Sequence, residues 1–395
     1  MPGRYSDIIV VGGGASGLLA AIAAAEHGGK VILVEKNIRV GKRILATGNG
    51  RCNLSNAIIG KPEGNARYNR PEFVAPVLER FDCTAIRVFF YDLGLLTITD
   101  KNGWVFPRTQ TANTVLDVLL RELDRLAIVT YPGQEIIGMR MNEDGYRIET
   151  TGSSFAAKNL ILCCGVEPLL KAFPFLNVIK PEPILGPLRT DTDAIRGLDG
   201  VRATCRMSLR EEDRLICWED GELLFRDYGV SGIAVFNLSR FAKPGQKLLI
   251  DFFPDLSHQA LKGLLLSRIE RSPELTAPEA LTGILHSRII QAVLRKTRIK
   301  TSNKPDDNML NALVNTMKRF SLTVTGGPTK DQAQLTRGGL NTEDFNPVTL
   351  ESKNQKGLFA AGECLDIDGP CGGFNLHWAW ASGLTAGESA ALSLR

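Results

Sequence analysis

Asp7-Ile-Ile-Val-Val-Gly-Gly-Gly-Ala-Ser-Gly17 is the stretch on which the fold turns. Asp7 to Val11 is a short β-branched run bounded by glycine, the pattern of a parallel strand buried on both faces. Ala15 to His27 is alanine-rich and reads as a helix that Gly28-Gly29 brings to an end. Val31-Ile-Leu-Val34 is a second buried strand, parallel to the first because a helix joins them. Glycines fall at 12, 14 and 17, between strand and helix. The first permits a tight turn, the second lets a pyrophosphate reach the backbone, and the third lets the helix pack on the strand. Glu35 ends the second strand, where a carboxylate accepts hydrogen bonds from a ribose hydroxyl and disfavours a 2′-phosphate. This context predicts a bound dinucleotide, with Gly12, Gly14, Ala15, Ser16 and Gly17 around its phosphates and Glu35 and Lys36 beside the ribose. The competing reading is a glycine-rich turn that holds no ligand.

Composition sets the outer bounds. The chain has 395 residues, 44% hydrophobic and 23% charged, enough for two or three domains with their own cores. A net charge of +4 without a long Lys/Arg run gives no expectation of a nucleic-acid partner. Eight cysteines occur without a Cys-x-x-Cys pair, so reduced thiols and a cytoplasmic location are expected. The longest apolar stretch, Leu18 to Ala25, is too short to span a bilayer, and no membrane partner is expected. No His/Cys/Asp cluster has metal spacing.

Further along, residues 36–60 lack periodicity and read as a long functional loop. Helical patterns cover Pro71 to Leu93 and Thr114 to Leu126, and 135–162 looks like an antiparallel meander. Residues 181–190 carry three prolines and read as a crossover linker. Short alternating strands run from Ala203 to Phe225, with Glu219-Asp-Gly221 as their hairpin turn. Helical period then takes over from 255 to 317, including the capping box Thr276-Ala-Pro-Glu279, before a strand at Phe320 to Thr325. Gly357 to Arg395 reads as strand, glycine loop and helix, too little to form its own core.

Three features select FAD over NAD. The meander end, Leu160-Ile-Leu-Cys-Cys-Gly165, resembles the strand-plus-glycine element of FAD enzymes, and Gly357-Leu-Phe-Ala-Ala-Gly362-Glu363 resembles their second pyrophosphate-side motif, a strand ending in Gly-Asp or Gly-Glu. Gly372-Gly373-Phe374-Asn375 leads straight into a helix whose N-terminus suits the negative N1/O2 edge of a reduced flavin.

Gly41-Lys-Arg-Ile-Leu-Ala-Thr-Gly-Asn-Gly-Arg-Cys-Asn53 resembles the signature of the aminoacetone-oxidase-like, BaiN/YhiN-type FAD-dependent oxidoreductases. The resemblance continues through Trp104-Val-Phe-Pro107, Gly229-Val-Ser-Gly232 and Val324-Thr-Gly-Gly327. It ends with Ala361 to Gly369, Gly372 to Asn375 and Trp378 to Gly383. It implies an α/β fold: an FAD-binding Rossmann-like domain of the two-dinucleotide type, with an inserted β-barrel-like domain carrying a small helical domain. The expected boundaries are 1–184 and 329–395 for the FAD domain, 185–254 and 318–328 for the barrel, and 255–317 for the helices. Implied cofactor contacts add Lys42, Arg43, Thr47, Gly48, Gly50, Arg51, Cys52, Asn53, Ile136, Gly165, Gly362, Glu363, Asp366, Gly372, Gly373, Phe374 and Asn375. Two departures lie near where substrate should meet flavin: Cys163-Cys164-Gly165 replaces a Gly-Gly, and Trp104 replaces an arginine.

For chemistry, His377, Arg51 and Cys371 are the candidates, His377 for proton transfer, with a buried packing histidine as its competing reading. Cys52, Cys364 and Cys371 fall in the flavin motifs and raise the idea of a dithiol relay, against small buried thiols. No second glycine fingerprint exists for NAD(P)H, so a nicotinamide would dock transiently, or oxygen would complete the cycle. The expected function is hydride transfer between FAD and a C–N or C–C bond of a small or medium organic substrate. The alternatives are a flavin-dependent RNA-modifying transferase and a flavin-binding protein with little turnover.

Overall fold

The computed structural model describes residues 4–142 and 144–395. The chain forms two compact units, one running to Glu182 and resuming at Arg337–Arg395, the other Pro183–Thr336.

The first unit opens with β1 (Arg4–Val11), α1 (Ala15–Glu26) and β2 (Val31–Val34). A 3₁₀ segment at Ile44–Gly50 leads to β3 (Ser55–Asn56), α2 (Pro62–Asn65), α3 (Pro71–Arg80) and α4 (Cys83–Asp92). Then come β4 (Thr97–Thr99), β5 (Trp104–Pro107), α5 (Ala112–Arg125), β6 (Val129–Tyr131) and the meander β7 (Ile136–Asn142), β8 (Gly145–Thr150), β9 (Ser154–Leu162). The helical pattern expected over 71–93 is two helices, because Asp82 caps a new start by accepting from the Ala85 amide. After α6 (Val166–Ala172), the chain leaves through β10 (Val178–Ile184).

The main sheet has the order β6-β2-β1-β9-β8-β7, with β18 (Leu358–Ala360) also on β9. β1 pairs in parallel with β2 (Val11 opposite Val34) and with β9 (Val11 opposite Leu162). Residues 358–360 sit beside Leu160–Leu162, so the late strand completes the sheet begun by the first eleven residues. α12 (Phe374–Leu392) lies along α1 at very short range. A Cβ at Gly383 would sit 2.4 Å from the Ser16 carbonyl oxygen, and one at Gly387 would sit 2.2 Å from that of Ala20. Only a side-chain-free stripe permits this crossing. β3, β5 and β4 form a separate small antiparallel sheet.

The second unit is a closed barrel in the order β11-β14-β13-β12-β15-β16. Its strands are β11 (Leu188–Thr190), β12 (Arg202–Glu211), β13 (Arg214–Arg226), β14 (Gly229–Ser231), β15 (Lys247–Asp251) and β16 (Phe320–Gly326). α7 (Ile233–Ser239) follows β14. Between β15 and β16 run α8 (His258–Arg271), α9 (Ala277–Leu281), α10 (Ser287–Thr297) and α11 (Asp307–Lys318). The capping box at Thr276 and Glu279 is present. These helices share one core with the barrel, where Leu248, Ile250 and Phe320 join Leu261, Ile290 and Leu313.

Two expectations are corrected here. The hairpin turn is not Glu219-Asp-Gly221. β13 runs through those residues, with Gly221 opposite Cys205, and the turn is Glu212-Asp213, flanked by the pair Glu211 and Arg214. The acidic residues instead make a cross-strand ladder, Asp220 accepting two 2.7 Å bonds from Arg206 and Glu222 pairing with Arg202. The return to the first unit falls at Arg337, not 329. Pro328 crowds Gly186, and the Gln334 amide donates to Leu185 O, which keeps that segment with the barrel. The chain re-enters along β17 (Leu335–Leu340), which pairs with β10.

Candidate functional site

Two glycine turns carry the site, both in the first unit. At Gly17 a Cβ would fall 1.7 Å from the Gly12 carbonyl oxygen, and Gly12 itself holds φ +100. These two positions are fixed by the protein's own packing. Gly14 differs: a Cβ there would meet no atom within 4 Å, and α1 begins without a capping side chain. Open space ahead of an uncapped helix N-terminus is what a pyrophosphate requires. Ser16 is buried in the first turn, against Gly362. The Glu35 carboxylate accepts from the Gly13 amide at 2.6 Å and from the Asn37 amide at 2.8 Å. It therefore ties the glycine loop to the end of β2, a task that the spacing alone did not reveal.

The 41–53 loop is held by backbone conformation. Gly48, Asn49, Gly50 and Cys52 all have positive φ, and the Thr47 hydroxyl donates to Ile44 O at 2.6 Å. Lys36, Lys42, Arg43 and Arg51 are exposed. Arg43 forms a 3.3 Å ion pair with Glu363 and also faces Gly165. Burial raises the Glu363 carboxyl above its usual range, and Arg43 opposes that shift. Thus the ends of β9 and β18 and the loop converge.

The second turn, Gly372-Gly373, starts α12 with φ +105 and +98 and no capping side chain. It is gripped from a distance. Asn53 accepts from the Gly373 amide at 3.3 Å and donates to Ser55 O and Val105 O. The Asn56 amide donates to Gly372 O at 3.0 Å, and the Tyr68 hydroxyl donates to Phe374 O at 2.8 Å. The Trp104 indole lies on Gly372, where a Cβ would come 2.7 Å from its nitrogen.

Several predicted contacts have internal work. Asp366 accepts from the Gly338 amide and pairs with Arg70 at 3.0 Å. Asn375 bonds both backbone groups of Gly369, so it clamps the loop ahead of the turn. Ile136 and Phe374 are core side chains.

The structure places His377 away from any open space, fully buried one turn into α12. Its Nε2 lies 2.9 Å from Phe81 O and its Nδ1 2.8 Å from Ser55 Oγ. A carbonyl can only accept, so Nε2 carries the proton and Nδ1 accepts from Ser55. Burial pushes the imidazole down to about 4. A neutral ring with both nitrogens engaged is a strut rather than a proton shuttle. The thiols behave alike: burial pushes Cys52 up to about 12 and raises Cys364, whose Sγ faces Leu162 O at 2.9 Å. Cys371 is half-buried. Arg51 lies over the Phe106 ring, 4.6 Å from its centroid. Ser55, Asn56, Tyr68, Phe106, Arg70 and Arg337 were missed, the last pairing with buried Asp368 at 3.1 Å. The partners of Ser55, Asn56, Tyr68 and Arg70 lie about 300 residues away, beyond any local signal.

The pattern of the HI0933-like protein Rossmann domain matches residues 6–389. The chain belongs to this family. Among HI0933-like relatives, the 3-dehydro-bile acid delta(4,6)-reductase of Clostridium scindens is 33% identical, covering 97% of this chain and 98% of its own. The ribosomal RNA dihydrouridine synthase of Escherichia coli is 25% identical over 95% of this chain and 96% of its own. In solved structures the fold is shared with E. coli quinol fumarate reductase FrdA (TM-score 0.52, 15% identity, 99% of this chain and 71% of that one). A flavocytochrome c3 fumarate reductase matches similarly, with TM-score 0.51 at 16% identity, covering 99% of this chain and 79% of that one. This HI0933-like protein is an FAD-dependent oxidoreductase. Among the described residues no helix is long and apolar enough to cross a membrane, and no cluster of three or more His, Cys, Asp or Glu could hold a metal ion.

Proposed function

We propose that the protein moves a hydride between FAD and a carbon–carbon double bond conjugated to a carbonyl in a flat organic molecule. The observation that carries this reading is the end-to-end similarity to a reductase named for the Δ4,6 bonds of a 3-oxo bile acid. The dihydrouridine named for the more distant relatives is likewise the product of saturating a ring double bond next to a carbonyl.

Bound FAD supplies the two-electron carrier. The residues divide the remaining work. The first-turn amides of α1 and the space before Gly14 take the pyrophosphate, and Glu35 takes the adenosine ribose. Lys42 and Arg43 add positive charge along the groove. The N-terminus of α12, presented by Gly372 and Gly373, would stabilise the flavin edge where negative charge collects on reduction. Arg51 offers a guanidinium to the substrate carbonyl. With FAD bound as hydride donor, Arg51 would stabilise the charge gathering on the substrate's carbonyl oxygen, and the α-carbon would take its proton from water, since His377 has no free nitrogen. We assign the reducing step to NAD(P)H docking transiently.

The test is anaerobic. Holoprotein reduced by NADH, NADPH or dithionite is mixed with a 3-oxo-Δ4,6 bile acid, its saturated ketone, or a uridine-containing RNA transcript, and flavin absorbance is followed. The conjugated ketone is expected to restore the absorbance and the saturated ketone to leave it bleached. Equal reoxidation with and without conjugated ketone would overturn the reading. Reoxidation by RNA alone would favour the second reading, in which the double bond belongs to uracil in RNA and which the 25% and 26% identical relatives support.

A further inference from the structure

Trp104 and Phe106 alternate on β5, and their rings lie 6.4 Å apart with planes tilted by 55°. Arg51 caps this pair at the Phe106 end, and Gly372 meets the indole at the Trp104 end. The three groups form a short row ending on the turn that starts α12. Their burial is graded: Phe106 is in the core, Trp104 is half-buried, and Arg51 is exposed. Among the described residues no carboxylate lies within ion-pair distance of Arg51. The backbone around them is fixed, since the Trp104 amide donates to Asp100 Oδ1 at 3.0 Å and Val105 O accepts from Asn53. A half-open indole on a rigid strand, next to a guanidinium without an anion, has the shape of a binding plate rather than of core packing.

We propose that Trp104 and Arg51 form a ligand subsite for a planar, conjugated carbonyl ring, Trp104 stacking on its face and Arg51 donating to its carbonyl oxygen. The chemistry is complementary on both counts. An indole gains from stacking on a flat unsaturated ring, where a saturated, puckered ring offers less contact. A guanidinium whose donors face solvent gains most from an oxygen carrying partial negative charge, and conjugation puts such charge on the carbonyl. Gly372 is part of the design, because any side chain there would push the indole aside. The subsite depends on Trp104 itself. This subsite rests on the proposed function for its place beside the flavin, but it makes a binding claim that needs no turnover.

The experiment therefore uses oxidised holoprotein without a reductant. 4-Androstene-3,17-dione and uridine serve as flat conjugated probes, and cyclohexanone serves as the saturated control. Binding is read from tryptophan quenching and from the shift in the flavin spectrum. At least one conjugated probe is expected to bind and cyclohexanone is not. Trp104→Ala should weaken binding of that probe by roughly tenfold and Trp104→Phe by no more than about threefold. Arg51→Gln should weaken it by roughly tenfold or more. Flavin content and melting temperature report that each variant is folded and loaded. Unchanged affinity in Trp104→Ala would overturn the proposal, as would failure of both conjugated probes to bind wild-type protein. If Trp104→Ala instead brightens flavin fluorescence while probe affinity stays the same, the indole stacks on the flavin and the substrate assignment is wrong. A protein that binds the probes through Trp104 but never transfers hydride to them would leave this subsite intact and remove only the reductase reading.

Discussion

The two glycine turns look alike in sequence and are built on opposite plans. At residues 12–17 the main chain holds itself, with glycine pressed against glycine and Glu35 tying the loop from nearby in sequence. At 372–373 the main chain is held by side chains from elsewhere, from Asn53, Asn56, Tyr68 and Trp104. The first plan concentrates tolerance limits in a few glycines. The second spreads them over struts that no local motif records. A substitution should therefore cause sharp failure at the first turn and graded loosening at the second.

The largest expected effect separates two neighbours in the first turn. Gly17→Val drives side-chain atoms into the Gly12 carbonyl and should cost more than about 4 kcal/mol, seen as insoluble or unfolded protein. At Gly14 a Cβ has no protein atom within 4 Å, so Gly14→Val should fold with a near-native melting temperature and lose FAD. If both variants behave alike, the distinction between packing glycine and ligand glycine fails.

At the second turn, His377→Ala leaves the Ser55 hydroxyl and the Phe81 carbonyl without their partner inside the protein. A loss of roughly 3–4 kcal/mol in urea unfolding is expected. The same ring gives the wild type a pH signature. Its folded value near 4 lies below the ordinary 6.5, so between these values the unfolded chain binds the extra proton. Stability should fall as pH drops through that window, by up to about 3 kcal/mol, and His377→Gln should flatten that part of the curve. A pH–rate profile with a His377-dependent ionisation near neutrality would contradict the strut.

Smaller effects sharpen the comparison further. Glu35→Ala removes a charged acceptor from the first turn and should weaken FAD binding by roughly tenfold to a hundredfold, measured by titration of apoprotein. FMN, which lacks the adenosine, should be almost indifferent. An unchanged FAD dissociation constant would mean that the adenosine lies elsewhere. Smallest of all, Cys364→Ala should leave the rate of flavin reduction within about threefold of wild type, because its buried thiol is held protonated. A much larger fall would restore the thiol relay.

What could be read in the sequence follows the same division. The opening βαβ unit, the meander and α12 were legible because their signals are local: buried β-branched runs, glycine stops and a 3.6-residue period. The Glu219-Asp-Gly221 reading shows the limit, since an ideal turn tripeptide was overridden by cross-strand partners, Arg202 and Arg206, that the longer β12–β13 hairpin turning at Glu212-Asp213 brings opposite it. His377 shows it at the site. Histidine after a glycine turn suggests chemistry until its two partners, Ser55 and Phe81, are seen.

The crossing of α1 and α12 bears on how the protein is made. β18 and α12 belong to the same sheet and layer as β1 and α1, yet ribosomes deliver them more than 300 residues later. Until residues 358–392 emerge, the alanine-rich face of α1 has no Gly383 or Gly387 to rest against, and the α12 half of the cradle is missing. A nascent chain thus carries the dinucleotide fingerprint long before residues 358–392 exist to complete the sheet and the helix crossing, so flavin loading is expected to wait for their translation. Products truncated before residue 358 should emerge colourless.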